Sequence, residues 1–581
     1  MAALAALAIL MTTPLTAREL TLRLVETTDV HGNYFPYDFI GRREGAGSLS
    51  RVATFVDSLR RSAGSDRVVL LDNGDILQGQ PSAYYFNYID TTARHPAAEM
   101  YDYMGYDAAT IGNHDIETGH AVFDRWIRQS RTPILGANVI DTSTGQPYLK
   151  PYTVIERDGI KIAVLGMLTE AIPAWLPENI WSGLRFEPVS ESAPKWLEII
   201  REKESPDLMV GLFHSGRDYS RTTDGMMENS ALWVGENVPG FDIIFFGHDH
   251  QTYNSNAAND GGLTLMMNPA NNARNAALAE VTFTFDNDGK PHVSDKRGYI
   301  VDMDEYLPSP RFLQRFRKAY DDTRSFVDRV IGEAESAMST RDAFFGPTTF
   351  MDLIHRLQLS ISGADISLAA PLSFDATIHK GPMRVSDMFT LYKYENMLYT
   401  MRMTGREIKD YLEMSYSLWT RDAQPGQPYP HLLLFAADQP TAADNRLRHP
   451  AYNFDSAYGI DYTVDVTRPR GEKINITGMT DGPPFNPDSF YTVAVNSYRG
   501  NGGGNLMTEG AGISREELKK RIVKSTDHDL RYYLLREIER ERTIRPRLTR
   551  NWKFIPEELT RTAARADSLL LFGEGASKEQ K

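Results

Sequence analysis

The chain of 581 residues contains no cysteine. Disulfides, zinc–thiolate sites, thiol nucleophiles and cysteine-linked lipids are all excluded, although an oxidising compartment is not. Positive charge is also in deficit: 63 Lys and Arg stand against 77 Asp and Glu, for a formal net charge of −14. That balance argues against a protein that coats a polyphosphate, so polymeric nucleic acid is not expected as a partner. Small anionic substrates stay open, because bound divalent cations invert the local field. No segment after the first residues approaches the roughly 18 consecutive apolar residues of a bilayer span. No membrane span is expected, and oligomeric state leaves no mark in the sequence.

Residues 1–17 begin as an almost unbroken run of Ala, Leu, Ile and Met and end on Thr12-Thr13-Pro14-Leu15-Thr16-Ala17. This is the apolar centre and small-residue exit of a secretory signal, here without basic residues in front, and it predicts a periplasmic or secreted protein. The remainder is too long for one ordinary core and predicts two large domains.

After the leader, Leu20, Leu22 and Leu24 alternate with polar residues, as in a strand with one covered face. Fully apolar runs at 68–71, 162–168, 208–213 and 243–246 read as buried central strands. Helical spacing lies between them, for example over 48–62. Strands alternating with helices predict an α/β layered domain, in which ligands collect in the loops beyond the strand ends. Around residue 300 the pattern changes: Leu307-Pro308-Ser309-Pro310 breaks it, and Phe312, Phe316, Tyr320, Val327 and Ile331 then fall near one helical face. A helix of about five turns linking the halves is expected there. Further on, a helix over 350–362, strands over 366–370, 398–403 and 491–495, and a helix near Arg406 capped by Thr404 are expected. The boundaries read as a leader at 1–17, a first domain at 18–302, a linker helix at 303–335, a second domain at 336–550 and a charged tail at 551–581, frayed at its end.

Five short fragments each end an apolar run and offer a metal ligand. They are Asp29-Val30-His31, Gly74-Asp75, Gly112-Asn113-His114-Asp115, His214-Ser215-Gly216 and Gly247-His248-Asp249-His250. Singly, such pieces are mostly turns, caps or structural histidines. Together, in this order and each at a strand exit, they predict one metal centre. Asp29 and His31, two apart in extended chain, can turn to one cation. Asp75, at the mouth of a buried strand, needs a compensating cation and is the natural bridge between two. Asn113 adds a neutral oxygen, and His214, His248 and His250 add imidazoles. The mixed shell suits two divalent ions of Zn, Mn, Fe or Co rather than Mg or Ca. Two such ions about 3.5–4 Å apart can generate hydroxide at neutral pH and stabilise both oxygens of an in-line displacement at phosphorus. His114 is expected to act as proton donor or transition-state contact, with Glu117 holding its tautomer and raising its pKa. Asp115 is left without a chemical role.

The ordered set Asp-x-His, Gly-Asp, Gly-Asn-His-Asp, His and Gly-His-x-His resembles the calcineurin-like metallophosphoesterases. With a second domain of this size, the chain looks like the bacterial 5′-nucleotidase and 2′,3′-cyclic-nucleotide 2′-phosphodiesterase family. The resemblance implies a four-layer αββα sandwich with a separate α+β substrate-binding domain. It implies that Asp29, His31, Asp75 and His250 hold one metal, that Asp75, Asn113, His214 and His248 hold the other, and that His114 is the catalytic histidine. In His114-Asp115-Ile116-Glu117 a Glu stands where the family usually has Asp. The family's second domain often stacks the base between two rings. Lys393-Tyr394-Glu395-Asn396 resembles the first ring's segment and proposes Tyr394, with Asn396 beside it. Asn496-Ser497-Tyr498-Arg499-Gly500-Asn501-Gly502-Gly503-Gly504 resembles the second and proposes Tyr498 and Arg499.

There are departures. The family's Gly-Gly-x-Arg phosphate contact corresponds to Ala369-Ala370-Pro371-Leu372-Ser373-Phe374-Asp375, which has no arginine, and Asn505 follows the glycines where Asp is usual. Arg384 and Arg499 are candidate replacements. The expected activity is hydrolysis of nucleotide phosphate esters, as a 5′-nucleotidase, a cyclic phosphodiesterase or both. The missing arginine keeps open nucleotide sugars, dinucleotides or a sulfur ester as substrates. A non-catalytic binding protein with a vestigial centre is the third reading; seven intact ligand positions speak against it.

Overall fold

The computed structural model describes residues 19–221 and 225–573. The expected leader and the last eight residues of the expected tail lie outside the described residues.

Two six-stranded sheets form the first domain. In one, the order across the sheet is Pro291–Asp302, Asn275–Phe285, Glu19–Thr27, Val68–Asp72, Ala108–Thr110, Ile134–Leu135. The last four strands are mutually parallel, and the first two are added antiparallel. In the other, the order is Thr252–Asn259, Gly262–Pro269, Ile243–Phe246, Leu208–His214, Ile160–Leu168, Tyr152–Arg157, with a parallel centre and antiparallel edges. The period-2 pattern explains the stacking. Leu20, Leu22 and Leu24 project between the sheets, against Val164, Val210 and Leu212, while Val25 points to the outer face. The helices Leu49–Ala63, Pro96–Met104 and His120–Gln129 cover one outer face, and Val189–Glu204 and Ala231–Asn237 the other. The result is the four-layer αββα sandwich, in which the parallel strands deliver Thr27, Asp72, Thr110, His214 and Phe246 to neighbouring loops.

The five-turn linker helix is not continuous. A helix at Pro310–Arg315 breaks at Phe316 (φ −103°, ψ 18°), a second runs Arg317–Asp328, and Val330–Ala334 is already a strand. Phe312, Phe316 and Val327 sit in the core of the first domain beside Val52 and Phe55. The amphipathic stripe is thus a cover for the first domain, and only Ile331 joins the second.

The second domain holds a five-stranded sheet, ordered Ser456–Tyr458, Ile366–Ala369, Phe490–Asn496, Leu398–Thr404, Ile522–Ser525, and a three-stranded one, Ile474–Met479, Ile460–Asp465, Trp552–Ile555. Thr404 caps the helix Gly405–Trp419 as expected: its side chain accepts from Glu407 N, and the Glu407 carboxylate accepts from Thr404 N at 2.7 Å. The charged tail expected from residue 551 is structured through Phe572. Trp552–Ile555 is a sheet strand, and the helix Glu557–Phe572 buries Ala563 and Ala564. Its Asp567 accepts from Leu432 N and Leu433 N at 2.7 and 2.8 Å. Composition alone hid this helix, because one small apolar face suffices when the partner surface is close. Among the described residues, no helix is long and apolar enough to cross a membrane.

Candidate metal centre and substrate face

The seven expected ligands come together at the strand exits. Asp29 Oδ1 lies 3.2 Å from His250 Nε2 and 3.9 Å from His31 Nε2 and from His214 Nε2. His31 Nε2 and His250 Nε2 face each other at 3.0 Å. Asp75 Oδ2 is 3.1 Å from His214 Nε2. Asn113 Oδ1 sits between His214 Nε2, at 3.0 Å, and His248 Nδ1, at 2.8 Å. Two groups of three have ligand atoms close enough for one ion each: Asp29, His31 and His250, and Asp29, Asp75 and His214. Asp29 is common to both groups, whereas Asp75, the expected bridge, belongs to one.

Local backbone explains how short loops crowd so many ligands together. Asp29, His31, Asp75, His248 and His250 all have positive φ, between 49° and 73°. Five strained non-glycine residues in one place mark a site whose geometry is held by its surroundings. The glycines in the motifs have a steric reason. A Cβ on Gly112 would stand 2.1 Å from Asp75 Oδ1, and one on Gly247 would stand 2.5 Å from Asp29 Oδ2.

The chemistry of the cluster fits divalent cations. Asp29 Oδ1 and Asp75 Oδ2 are buried, and the groups that face them at 3.2 and 3.1 Å are the imidazole nitrogens of His250 and His214; two carboxylates buried so close together are costly unless a cation compensates them. His214 Nδ1 lies 2.5 Å from Asn73 O and His31 Nδ1 lies 3.0 Å from Gln78 O, so each imidazole can donate outward and turn Nε2 inward. Burial opposes charge on His214, yet the Asp75 and Asp29 carboxylates lift its pKa to about 10. Burial likewise opposes charge on those two carboxylates, and the histidines, His214 first, still hold both below the usual range. The field is that of a cation site. Burial pushes His31 the other way, to about 4, keeping it neutral and able to ligate.

His114 Nδ1 lies 2.5 Å from Glu117 Oε2, and its ring meets that of His31 edge-on at 5.4 Å. Burial disfavours its charge, but Asp75 and Glu117 raise its pKa to about 9. His114 is thus beside the cluster without joining either ligand group.

The expected substrate contacts differ in their surroundings. Tyr394 and Tyr498 are half-buried. Burial, then Tyr452, Tyr498 and Glu117 of the first domain, push the Tyr394 hydroxyl upward. Tyr452, missed in the sequence, meets Tyr394 edge-on at 6.3 Å. Arg499 is corrected: its guanidinium is 2% exposed, pairs with Asp455 at 2.8 Å, and donates to Tyr452 O, Asn453 Oδ1 and Gly503 O. It braces the aromatic loops and has no donor to spare for substrate. Asn396 is buried and hydrogen-bonds with the Tyr392 hydroxyl. Arg384, the other candidate replacement, donates to Asp328 O at the linker. Beside Tyr394 and Tyr452, Leu372, Phe374 and Asp375 help line a groove of about 550 Å³. Glu228 and Trp175 were also missed: Glu228 Oε1 lies 3.3 Å from His248 Nε2, and the Trp175 ring stacks on His248 at 5.6 Å and 27°. Neither has a local signature, since each contact is made across a long stretch of chain.

A family model for the calcineurin-like phosphoesterases matches residues 22–252, and one for the 5′-nucleotidase C-terminal domain matches residues 330–510. The chain belongs to the calcineurin-like phosphoesterases that carry a 5′-nucleotidase C-terminal domain. Among curated relatives of this phosphoesterase, the trifunctional nucleotide phosphoesterase protein YfkN of Bacillus subtilis is 24% identical over 93% of the chain, which spans 39% of that longer protein. The 2′,3′-cyclic-nucleotide 2′-phosphodiesterase/3′-nucleotidase of Haemophilus influenzae is 24% identical over 93% of the chain and 88% of its own length. A solved structure of a candidate 5′-nucleotidase from Staphylococcus aureus superposes with a TM-score of 0.75 at 20% identity, over 92% of this chain and all of that one. That likeness concerns the fold, and it covers both domains of the phosphoesterase.

Proposed function

We propose that the chain is a hydrolase of nucleotide phosphate esters, a 5′-nucleotidase or a 2′,3′-cyclic-nucleotide 2′-phosphodiesterase, working at a two-metal centre. The observation that carries this reading is the pair of buried carboxylates, Asp29 and Asp75, set among the imidazoles of His31, His214, His248 and His250. Asp29, His31, Asp75 and His250 would hold one divalent ion, and Asp75, Asn113, His214 and His248 the other, with Mn, Zn, Co or Fe fitting the donors. When bound, such a pair lowers the pKa of water and stabilises developing charge on phosphoryl oxygens.

The residues of the chain supply the rest. His114, paired with Glu117 through Nδ1, keeps its Nε2 proton for a phosphoryl or leaving oxygen. Glu117 accepts from Nδ1, fixes the tautomer and favours the charged form. Tyr394 and Tyr498 offer aromatic faces to a base of any identity, and Tyr452 closes the edge of the pocket. The names of the relatives support a nucleotide substrate. The apolar start of the sequence supports export to the periplasm or beyond.

The test is direct. Chelator-stripped protein is reloaded with Mn, Zn, Co or Mg and assayed on mononucleotides, 2′,3′-cyclic nucleotides, nucleotide sugars and an aryl phosphate. Metal-dependent release of phosphate or ring opening is expected with nucleotides. No metal-dependent turnover on any phosphate ester would overturn the proposal.

A further inference from the structure

Trp175 ends a short helix, Ile172–Trp175, in the loop beyond the strand Ile160–Leu168 of the first domain. Its indole lies over the imidazole of His248, with centroids 5.6 Å apart and planes 27° from parallel. That imidazole points Nδ1 at Asn113 Oδ1, at 2.8 Å, and Nε2 at Glu228 Oε1, at 3.3 Å. Its edges are therefore fixed by polar partners, and one face is fixed by the indole.

The segment that carries Trp175 is held from the other domain. Arg515 Nη1 donates to Ala174 O at 2.7 Å and to Asn501 O at 3.0 Å. Asn501 Nδ2 reaches Trp175 O at 3.4 Å. Lys519 pairs with Glu178 at 3.0 Å just beyond. Asn501 lies three residues after Tyr498, on the loop that Arg499 braces through Gly503 O. A continuous set of contacts thus runs from the tyrosine loop, through two backbone carbonyls, to the ring on His248.

We infer that Trp175 is a positioning residue for His248, and that seating of the second domain's Asn501 and Arg515 keeps it in place. Partners that orient a metal-bound histidine typically change metal affinity by about 10–100-fold, although they touch neither metal nor substrate. Because Asn501 and Tyr498 share one loop, loading of the centre and formation of the nucleoside pocket depend on the same domain seating. The inference rests on the proposed ligand role of His248. Two equivalents of Mn²⁺ bound by the wild type, and one lost in His248→Ala, establish that role separately.

The experiment is calorimetric titration of the stripped full chain with Mn²⁺, with thermal unfolding of the metal-free form alongside. Trp175→Ala is expected to weaken one equivalent about tenfold or more and leave the other within about twofold. Trp175→Phe, which keeps a stacking ring, is expected to restore it. If Trp175→Ala fails to fold, Asn501→Ala/Arg515→Ala keeps the indole and is expected to weaken the same equivalent. Wild-type affinity in Trp175→Ala, or in the double variant, would overturn the inference. So would equal weakening of both equivalents together with a lowered metal-free melting temperature, which marks a fold defect.

Discussion

The Asp115 carboxylate receives the backbone N–H of Asp75 at 2.9 Å and, through its two oxygens, those of Ile76, Leu77 and Gly112 at 3.0, 2.9 and 2.8 Å. One buried side chain therefore ties the loop bearing Asp75 to the turn bearing Asn113 and His114. Replacing it by Ala strands four buried donors, each costing about 1–3 kcal/mol when left without a partner. Asp115→Ala is expected to lower unfolding free energy by about 3 kcal/mol or more, read as a lower urea midpoint.

His114 and Glu117 separate chemistry from loading. General acid–base groups contribute about 10²–10⁴-fold, so His114→Ala is expected to cut kcat in that range while metal content stays near two per chain. Glu117→Gln keeps the shape and loses the charge, and a smaller loss, about tenfold, is expected. Loss of a metal from His114→Ala would show that His114 is a ligand.

Metal removal has a stability signature. A ligand that binds only the folded state adds about 2.7 kcal/mol at a hundredfold excess over its Kd. Stripped protein is expected to melt several degrees below the Mn- or Zn-loaded form, with the midpoint rising with metal concentration. An unchanged midpoint over that titration would count against tight binding at Asp29 and Asp75.

Far from the centre, burial alone holds His355 neutral at a pKa of about 3, with its ring nitrogens 2.9 and 3.2 Å from Ser367 and Ser456 hydroxyls. Its folded pKa lies below its unfolded value of about 6.5, so the unfolded chain binds the extra proton. The contribution is present above pH 6.5 and is lost as pH falls toward 3, at about 1.4 kcal/mol per unit. The stability gap between wild type and His355→Gln, measured by urea at pH 7 and pH 5, is expected to narrow by about 2 kcal/mol.

The legible parts were those set by local pattern. Buried parallel strands are apolar runs, so the exits at Asp75, Asn113, His214 and His248 could be read directly, the alternating Leu20, Leu22 and Leu24 marked the strand before Asp29, and the Thr404–Glu407 capping box fixed a helix start. What failed depended on partners distant in the chain. Arg499 beside a glycine run looks like a phosphate contact until Asp455, 44 residues away, is found to hold it. Trp175 and His248 are 73 positions apart, and nothing near either predicts their stacking. Phe316 packs into the first domain's core where the helix breaks, and the helix Glu557–Phe572 packs Ala563 and Ala564 into the second; both contacts are with segments distant in the chain.

The distinction between Tyr394 and Arg499 gives the sharpest test of the substrate face. Base stacking is worth about 1–3 kcal/mol, so Tyr394→Ala is expected to raise KM for nucleotides about 10–100-fold with kcat largely kept. An aryl phosphate, which has no base to stack, is expected to keep its KM in the same variant. Arg499→Ala removes the buried partner of Asp455 and the brace on Tyr452 and Gly503. Leaving one member of a buried ion pair costs about 3–5 kcal/mol, so this variant is expected to melt earlier whether or not substrate is present. If Arg499→Ala instead kept its melting temperature and lost only nucleotide affinity, its guanidinium would be a substrate contact after all.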